Sequence, residues 1–192
     1  MRGLTLITAP TAEPLTLQEV KEHCRVSDNA DDAPLRLYAK AARQAVEEYT
    51  GRQLMPATWE LALDGFPDCE IYLPKPPLTS VTSVKYYDGD GALQTLDAAD
   101  YEVSTTQALG RVAPVYGVTW PDTDVGLDKV KVRYAAGYAD AATVPAALKE
   151  AILLLTGDWY ANRENVVSGT TVAKFPYAVE WLLAPYCVGE YR

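Results

Sequence analysis

The sequence predicts an α+β protein: a small helical bundle, built from two N-terminal helices and the C-terminal helices, with an inserted antiparallel β-sheet or partial barrel. Three observations carry this. Apolar residues recur at helical spacing up to Gly51 and again after Val144. Between Thr58 and Ala135 they alternate with period two. Gly, Pro, Asp and Asn gather where one pattern gives way to the other. These changes of pattern set the boundaries: 1–55 with 138–192 for the helical bundle and its C-terminal tail, and 56–137 for the inserted β domain.

Residues 1–15 read as extended chain, punctuated by Pro10 and Pro14. Thr16-Leu17-Gln18-Glu19 is a capping box, in which the Thr hydroxyl takes a backbone N–H and the Glu carboxylate reaches back. A helix runs from there to about Val26, with Leu17, Val20 and Cys24 on one face. Ser27 to Asp32 breaks it, and the acids there suit the positive end of the next helix. That helix opens at Pro34, carries the stripe Leu35, Tyr38, Ala42, Ala45 and Tyr49, and stops at Gly51. Its alanines make it thin enough for a neighbour to approach closely.

Trp59, Leu61 and Leu63 begin the β pattern. Further strands are expected at 70–73, 80–87, 92–96, 101–103, 111–115 and 129–135. Asp88-Gly89-Asp90-Gly91 is a hairpin turn, because Asp-Gly tolerates positive φ. In Lys129-Val130-Lys131-Val132-Arg133-Tyr134 the cations fall on one face and the apolar residues on the other. Val144-Pro145 opens a helix to about Arg163, striped by Leu148, Ile152, Leu155 and Trp159. Residues 165–174 lack periodicity, and a last short helix is expected over 176–183.

Composition narrows the function classes. The chain has 192 residues, 48% of them hydrophobic, which suits a globular protein able to bury a core. Its three cysteines, Cys24, Cys69 and Cys187, are an odd number at wide spacings, so neither a disulfide framework nor a metal knuckle is expected. The N-terminus lacks the apolar core of a signal peptide. The longest apolar run, Ala151 to Leu155, is far short of the about 20 residues that span a bilayer. A soluble protein made in the cytoplasm, with no membrane partner, is the expectation. A net charge of −9 with scattered Lys and Arg argues against gripping nucleic acid, though an acidic wall would let DNA slide past.

No residue pattern carries catalytic chemistry. His23 is the only histidine, and its neighbour Cys24 points about 100° away on a helix, so no dyad forms. One His with dispersed Cys cannot supply a zinc site. Asp88 to Gly91 fails the EF-hand pattern at Ala92. No phosphate-binding Gly loop, nucleophile elbow or HExxH is present. Carboxylate pairs such as Glu47-Glu48 and Asp31-Asp32 lie on exposed faces or at a cap, and leave a hydrolase without a local signature as a third reading. No cofactor is expected. Thirteen tyrosines and four tryptophans, with Tyr86, Tyr87, Tyr101, Tyr116, Tyr134 and Tyr138 crowding the β block, favour a protein–protein role.

The order of segments resembles the head–tail connector, or head-completion adaptor, family of bacteriophages, also found in gene transfer agents. The resemblance rests on Leu17 to Val26, with Asp31-Asp32 after it; on Ala41 to Arg52; on Leu63-Asp64-Gly65-Phe66-Pro67; and on Leu73-Pro74 with Pro77 to Val81. It continues in Trp120-Pro121, Gly137-Tyr138, Val144-Pro145 and Trp159-Tyr160-Ala161-Asn162-Arg163-Glu164. The β block marks the larger subfamily, in which it is inserted between helices two and three.

The resemblance implies a structural virion protein rather than an enzyme, present in the host cytoplasm before assembly and in the head–tail connector region of the virion afterwards. About a dozen copies would form a ring below the portal protein of the filled capsid. The ring would offer a platform to a stopper or tail-completion protein, and DNA would pass through its lumen without specific binding. Portal contacts would come from Phe175, Tyr177, Trp181, Leu182, Leu183, Tyr186 and Tyr191. Subunit contacts would come from Tyr38, Arg43, Glu47, Trp159, Arg163 and Glu164, with Arg43, Arg163 and Glu164 exposed. Removal of 176–192 is expected to abolish portal binding while the rest folds. The alternative from the residues themselves is a monomeric domain whose aromatic β block binds sugar or peptide.

Overall fold

The computed structural model describes residues 2–162 and 177–189. The chain forms two compact units: Met1–Thr11 with Met55–Tyr138, and Ala12–Leu54 with the described residues from Ala139 onward. The first is all β, the second helical.

The β unit has two antiparallel sheets. β1 (Arg2–Thr8), β2 (Ala57–Leu63), β4 (Leu78–Tyr87), β5 (Leu93–Thr95) and β8 (Val130–Ala136) form the larger, in the order β1-β2-β8-β4-β5. β3 (Ile71–Leu73), β6 (Tyr101–Ser104) and β7 (Gly110–Pro114) form the smaller, in the order β3-β7-β6. The sheets do not close into a barrel. Period-two alternation builds the core between them: Leu61, Leu63, Val84, Val130, Val132 and Tyr134 come from the larger sheet, Ile71, Leu73 and Val112 from the smaller. Each such side chain contributes about 1.5–3 kcal/mol on burial. Tyr134 is fully buried, and its hydroxyl donates to the Pro74 carbonyl at 2.9 Å. That bond satisfies the one polar atom the ring takes inside, and burial pushes the phenol pKa up.

Part of the N-terminal segment that reads as extended chain is a strand. Leu4 pairs with Leu61 and Thr5 with Glu60, so residues 2–8 are an edge strand of the larger sheet and group with the β unit. Pairing partners about sixty residues away leave no local sign in so short a segment.

The turn at Asp88 forms as expected. Its carboxylate accepts the Asp90 and Ala92 backbone N–H groups at 3.1 and 2.9 Å and the Gln94 amide at 2.7 Å, and Gly91 takes φ +77°. These donors hold the Asp88 pKa low, led by the Gln94 contact.

The described helices of the second unit are α1 (Leu17–Cys24), α2 (Asp32–Thr50), α3 (Ala146–Ala161) and α4 (Tyr177–Leu183), with a 3-10 turn at Ala184–Tyr186 after the last. Thr16 and Glu19 form the predicted capping box. Gly51 ends α2 at φ +70°. Leu35, Val46, Leu148, Ile152, Leu155, Val179 and Leu183 are fully buried. His23 faces Gly157, its Nε2 only 3.2 Å from where a Cβ would stand, so the sole histidine is packed against α3 where that helix has no side chain.

Along α2 the buried stripe is Leu35, Ala42, Arg43, Val46, Glu47 and Thr50. It is rotated from the predicted one, and Tyr49 is 40% exposed. The helix turns Arg43 and Glu47 inwards, where each finds partners within the helical unit.

Candidate interaction surfaces

The carboxylates that the sequence leaves open to acid–base chemistry serve the helical unit instead. Arg43 donates to Glu13 at 2.6 Å and, one turn along α2, to Glu47. The other Glu47 oxygen accepts the Gln53 amide at 2.8 Å and the Leu54 backbone N–H at 2.9 Å. Glu47 thereby satisfies the chain as it leaves the helix, where backbone donors would otherwise be orphaned. Asp31 accepts the Tyr160 hydroxyl at 2.6 Å, and Asp32 pairs with Lys21 at 2.8 Å. Apart from the Arg43–Glu47 pair within α2, each of these contacts ties two segments of the unit together.

Among the described residues no group of three or more His, Cys, Asp or Glu is placed to hold a metal ion. No described helix is long and apolar enough to cross a membrane. Cys69 and Cys187 are exposed and Cys24 half-buried. A crevice lined by Pro14, Leu15, Val20, Ala39 and Ile152 holds about 60 Å³, well below the several hundred a ligand pocket needs. In the β unit Phe66 and Trp120 stack face to face at 4.7 Å and 7°, each covering one face of the other, and with Asp68 and Asp122 they line an open hollow of about 410 Å³.

The residues picked for subunit contacts separate into three sets. Tyr38 and Trp159 are half-buried and keep part of their rings at the surface. Arg43 is only 4% exposed, and it and Glu47 are paired internally. The expected exposure of Arg43 is therefore corrected: the thin Ala-rich helix lets the Glu13 segment pack over the guanidinium. Arg163 and Glu164 lie outside the described residues.

The residues picked for portal contacts separate likewise. Tyr177 and Trp181 are 75% and 70% exposed, their rings tilted against one another at 6.5 Å. Leu182 and Tyr186 are half-buried, and Leu183 is fully buried with Val179. Phe175 and Tyr191 lie outside the described residues. Spacing explains the split, since 179 and 183 are one turn apart on one face of α4 and 177 and 181 on another. Two bonds hold the chain beyond α4: the Arg52 Nε donates to the Tyr186 carbonyl at 2.6 Å, and the Val188 N–H donates to the Thr50 carbonyl at 2.9 Å. The segment to Val188 is thus tied to the end of α2, a link across more than 130 residues that no local pattern announces. Because Val179 and Leu183 belong to the core, removing 176–192 would damage the fold as well as any surface.

The connection between β7 and β8 adds exposed apolar residues: Tyr116, one of the tyrosines that favour a protein–protein role, and Val125 and Leu127, to which the sequence assigns none.

Comparison with known proteins gives these surfaces a context. Residues 14–107 match the family described as phage gp6-like head-tail connector protein. No curated protein sequence matches the chain. Solved structures do. A chain from the neck of an empty gene transfer agent (GTA) particle, computed with C6 symmetry, has TM-score 0.82 and 25% identity, with 99% of this chain and 97% of that one covered. A chain from the virion of the native GTA particle has TM-score 0.80 and 26% identity, covering 98% and 97%. One from the neck of the native GTA particle, computed with C12 symmetry, has TM-score 0.79 at 24% identity, covering 99% and 97%, and shows likeness of fold.

Proposed function

We propose that this chain, whose residues 14–107 match the phage head–tail connector family, is the adaptor subunit of a ring joining the portal of a filled head to the stopper or tail. The family is one of structural connector proteins, not enzymes. The observation that carries the reading is likeness over nearly the whole length, 99% of this chain and 97% of the other, to a chain from a particle neck. Such coverage includes the β unit as well as the helices.

The ring would comprise about a dozen copies, arranged head to tail so that each presents two different patches. DNA would pass through its lumen, and the acidic chain would not hold it. The portal contact would centre on Tyr177 and Trp181, large aromatic side chains that the helical unit leaves exposed and that are typical anchors of interfaces. Leu182 and Tyr186 flank them. Tyr38 and Trp159 would contribute to subunit contacts, whereas Arg43 and Glu47 would support them from inside.

Light scattering on a sizing column tests this, with the purified chain alone and mixed with the portal protein of the same particle. The expected result is a mass gain equal to a ring of chains on the portal. A folded monomer that leaves the portal's mass unchanged would refute the reading.

A further inference from the structure

One face of the larger sheet has an arrangement that folding alone does not favour. Val84 and Tyr86 of β4 and Val130, Val132 and Tyr134 of β8 pack towards the core, so Lys85, Lys131 and Arg133 turn to the opposite face. Lys85 and Lys131 are register partners on adjacent strands. Side chains so placed have Cβ atoms about 5 Å apart, and like charges there repel. Arg133 is held by Glu60 at 2.6 Å. Neither Lys85 nor Lys131 forms an ion pair with a described residue. Across β2 and β1 their row continues with Ala62 and Gly3, and across β5 with Thr95; the Asp128 carboxylate stands at the Gly3 end, 4.0 Å from where a Cβ on Gly3 would be, without forming an ion pair with either lysine.

The other side of the same unit carries the opposite charge. In the smaller sheet Val112 packs inwards and Ala113 outwards, and its register partner Glu102 is exposed on that outer side. A hollow of about 380 Å³ lies there, lined by Asp68, Glu70, Ala113 and Tyr116 among others. Glu70 is engaged by Arg111 at 2.9 Å, but Asp68 and Glu102 have no cationic partner among the described residues. Tyr116, which lines the hollow with Asp68, is fully exposed.

We propose that the Lys85–Lys131 strip is a self-association surface that docks on the outer face of the smaller sheet of a second copy, where Asp68 lines the hollow and Glu102 stands across the strand from Ala113. The proposal rests on the ring reading and deepens it. The two patches differ and lie on opposite faces of one two-layered unit, which is the head-to-tail arrangement a closed ring requires. Docking brings carboxylates to both lysines, removing a repulsion that the isolated chain retains, and sets a cation near the Tyr116 ring. Duplex DNA is the competing occupant, but two lysines on a chain of net charge −9 give little of the clustered positive charge that phosphates need.

The test is sedimentation velocity over a concentration series, with and without the portal ring. The Lys85→Glu/Lys131→Glu double variant is expected to weaken association at least about tenfold. Adding Asp68→Lys and Glu102→Lys to it, which reverses both patches, is expected to restore association. The single variant Lys85→Glu guards against misfolding: it places opposite charges across the strands, so it should melt no lower than the wild type while still associating less. Undiminished association by the folded double variant would overturn the docking surface and leave the ring reading standing. Loss without recovery in the fourfold variant would overturn the charge pairing. A wild type that stays monomeric in both conditions would remove the ring reading and this proposal with it. Unchanged association, with a short duplex bound by the wild type and released by the double variant, would assign the face to phosphate and overturn the proposal.

Discussion

Arg43 of α2 and Glu13 of the segment before α1 meet at 2.6 Å, and the same guanidinium holds Glu47. With the Arg43 side chain 4% exposed, the pairing is worth more when broken than when counted. Removing one member leaves an uncompensated buried charge. Arg43→Ala is therefore expected to cost about 3 kcal/mol in urea unfolding. A loss below about 1 kcal/mol would mean that the pair behaves as a surface contact.

The two faces of α4 should answer differently to truncation. Leu183→Ala opens a cavity in the helical unit and is expected to cost about 2–5 kcal/mol. Trp181→Ala removes an exposed ring and is expected to change stability by no more than about 0.5 kcal/mol, while reducing capture by the portal protein. Thermal melts and co-sedimentation separate the two effects. Equal portal capture by wild type and Trp181→Ala would move the contact elsewhere on the unit.

The capping box gives α1 a pH signature. The Glu19 carboxyl is held below its usual range by the Thr16 backbone N–H first and the Thr16 hydroxyl second. A lowered folded pKa means that the stabilisation is complete above the unfolded value and is lost as pH falls through the folded one. Glu19→Ala is expected to be less stable than wild type at neutral pH. The gap should shrink as pH is lowered through the carboxylate range. Unfolding curves at a series of pH values check this, and a pH-independent gap would contradict it.

At Gly137 the chain leaves β8 with φ +119°, and a Cβ there would stand 2.5 Å from the Met55 carbonyl oxygen. Neither the backbone conformation nor that contact suits a side chain. Gly137→Ala is expected to lower stability by at least about 1–3 kcal/mol. A melt unchanged from wild type would show that the loop can shift.

Elements are legible in the sequence where a local pattern decides them. The Thr16–Glu19 box, the Asp88 turn and the alternation of Lys129 to Tyr134 each depend on neighbours within a few residues. Where distant partners decide, the sequence is silent. The pairing of Leu4 with Leu61 makes a strand of an N-terminal segment that reads only as extended chain. The Leu54 N–H at the end of α2 draws Glu47 inwards, and with it Arg43, against the ordinary preference of charged residues for solvent. The aromatic run at the C-terminus is visible, but helical phase, which divides Leu183 from Trp181, depends on where the unit's core lies. The Lys85–Lys131 pairing needs the register of two strands more than forty residues apart. Family resemblance is legible because it lies in the order of many weak segments rather than in a motif.

The most direct test of the connector role is electron microscopy of particles made without this chain. The expected result is DNA-filled heads and separate tails, with joined particles restored when the wild-type chain is supplied. Complete, tailed particles in its absence would contradict the account.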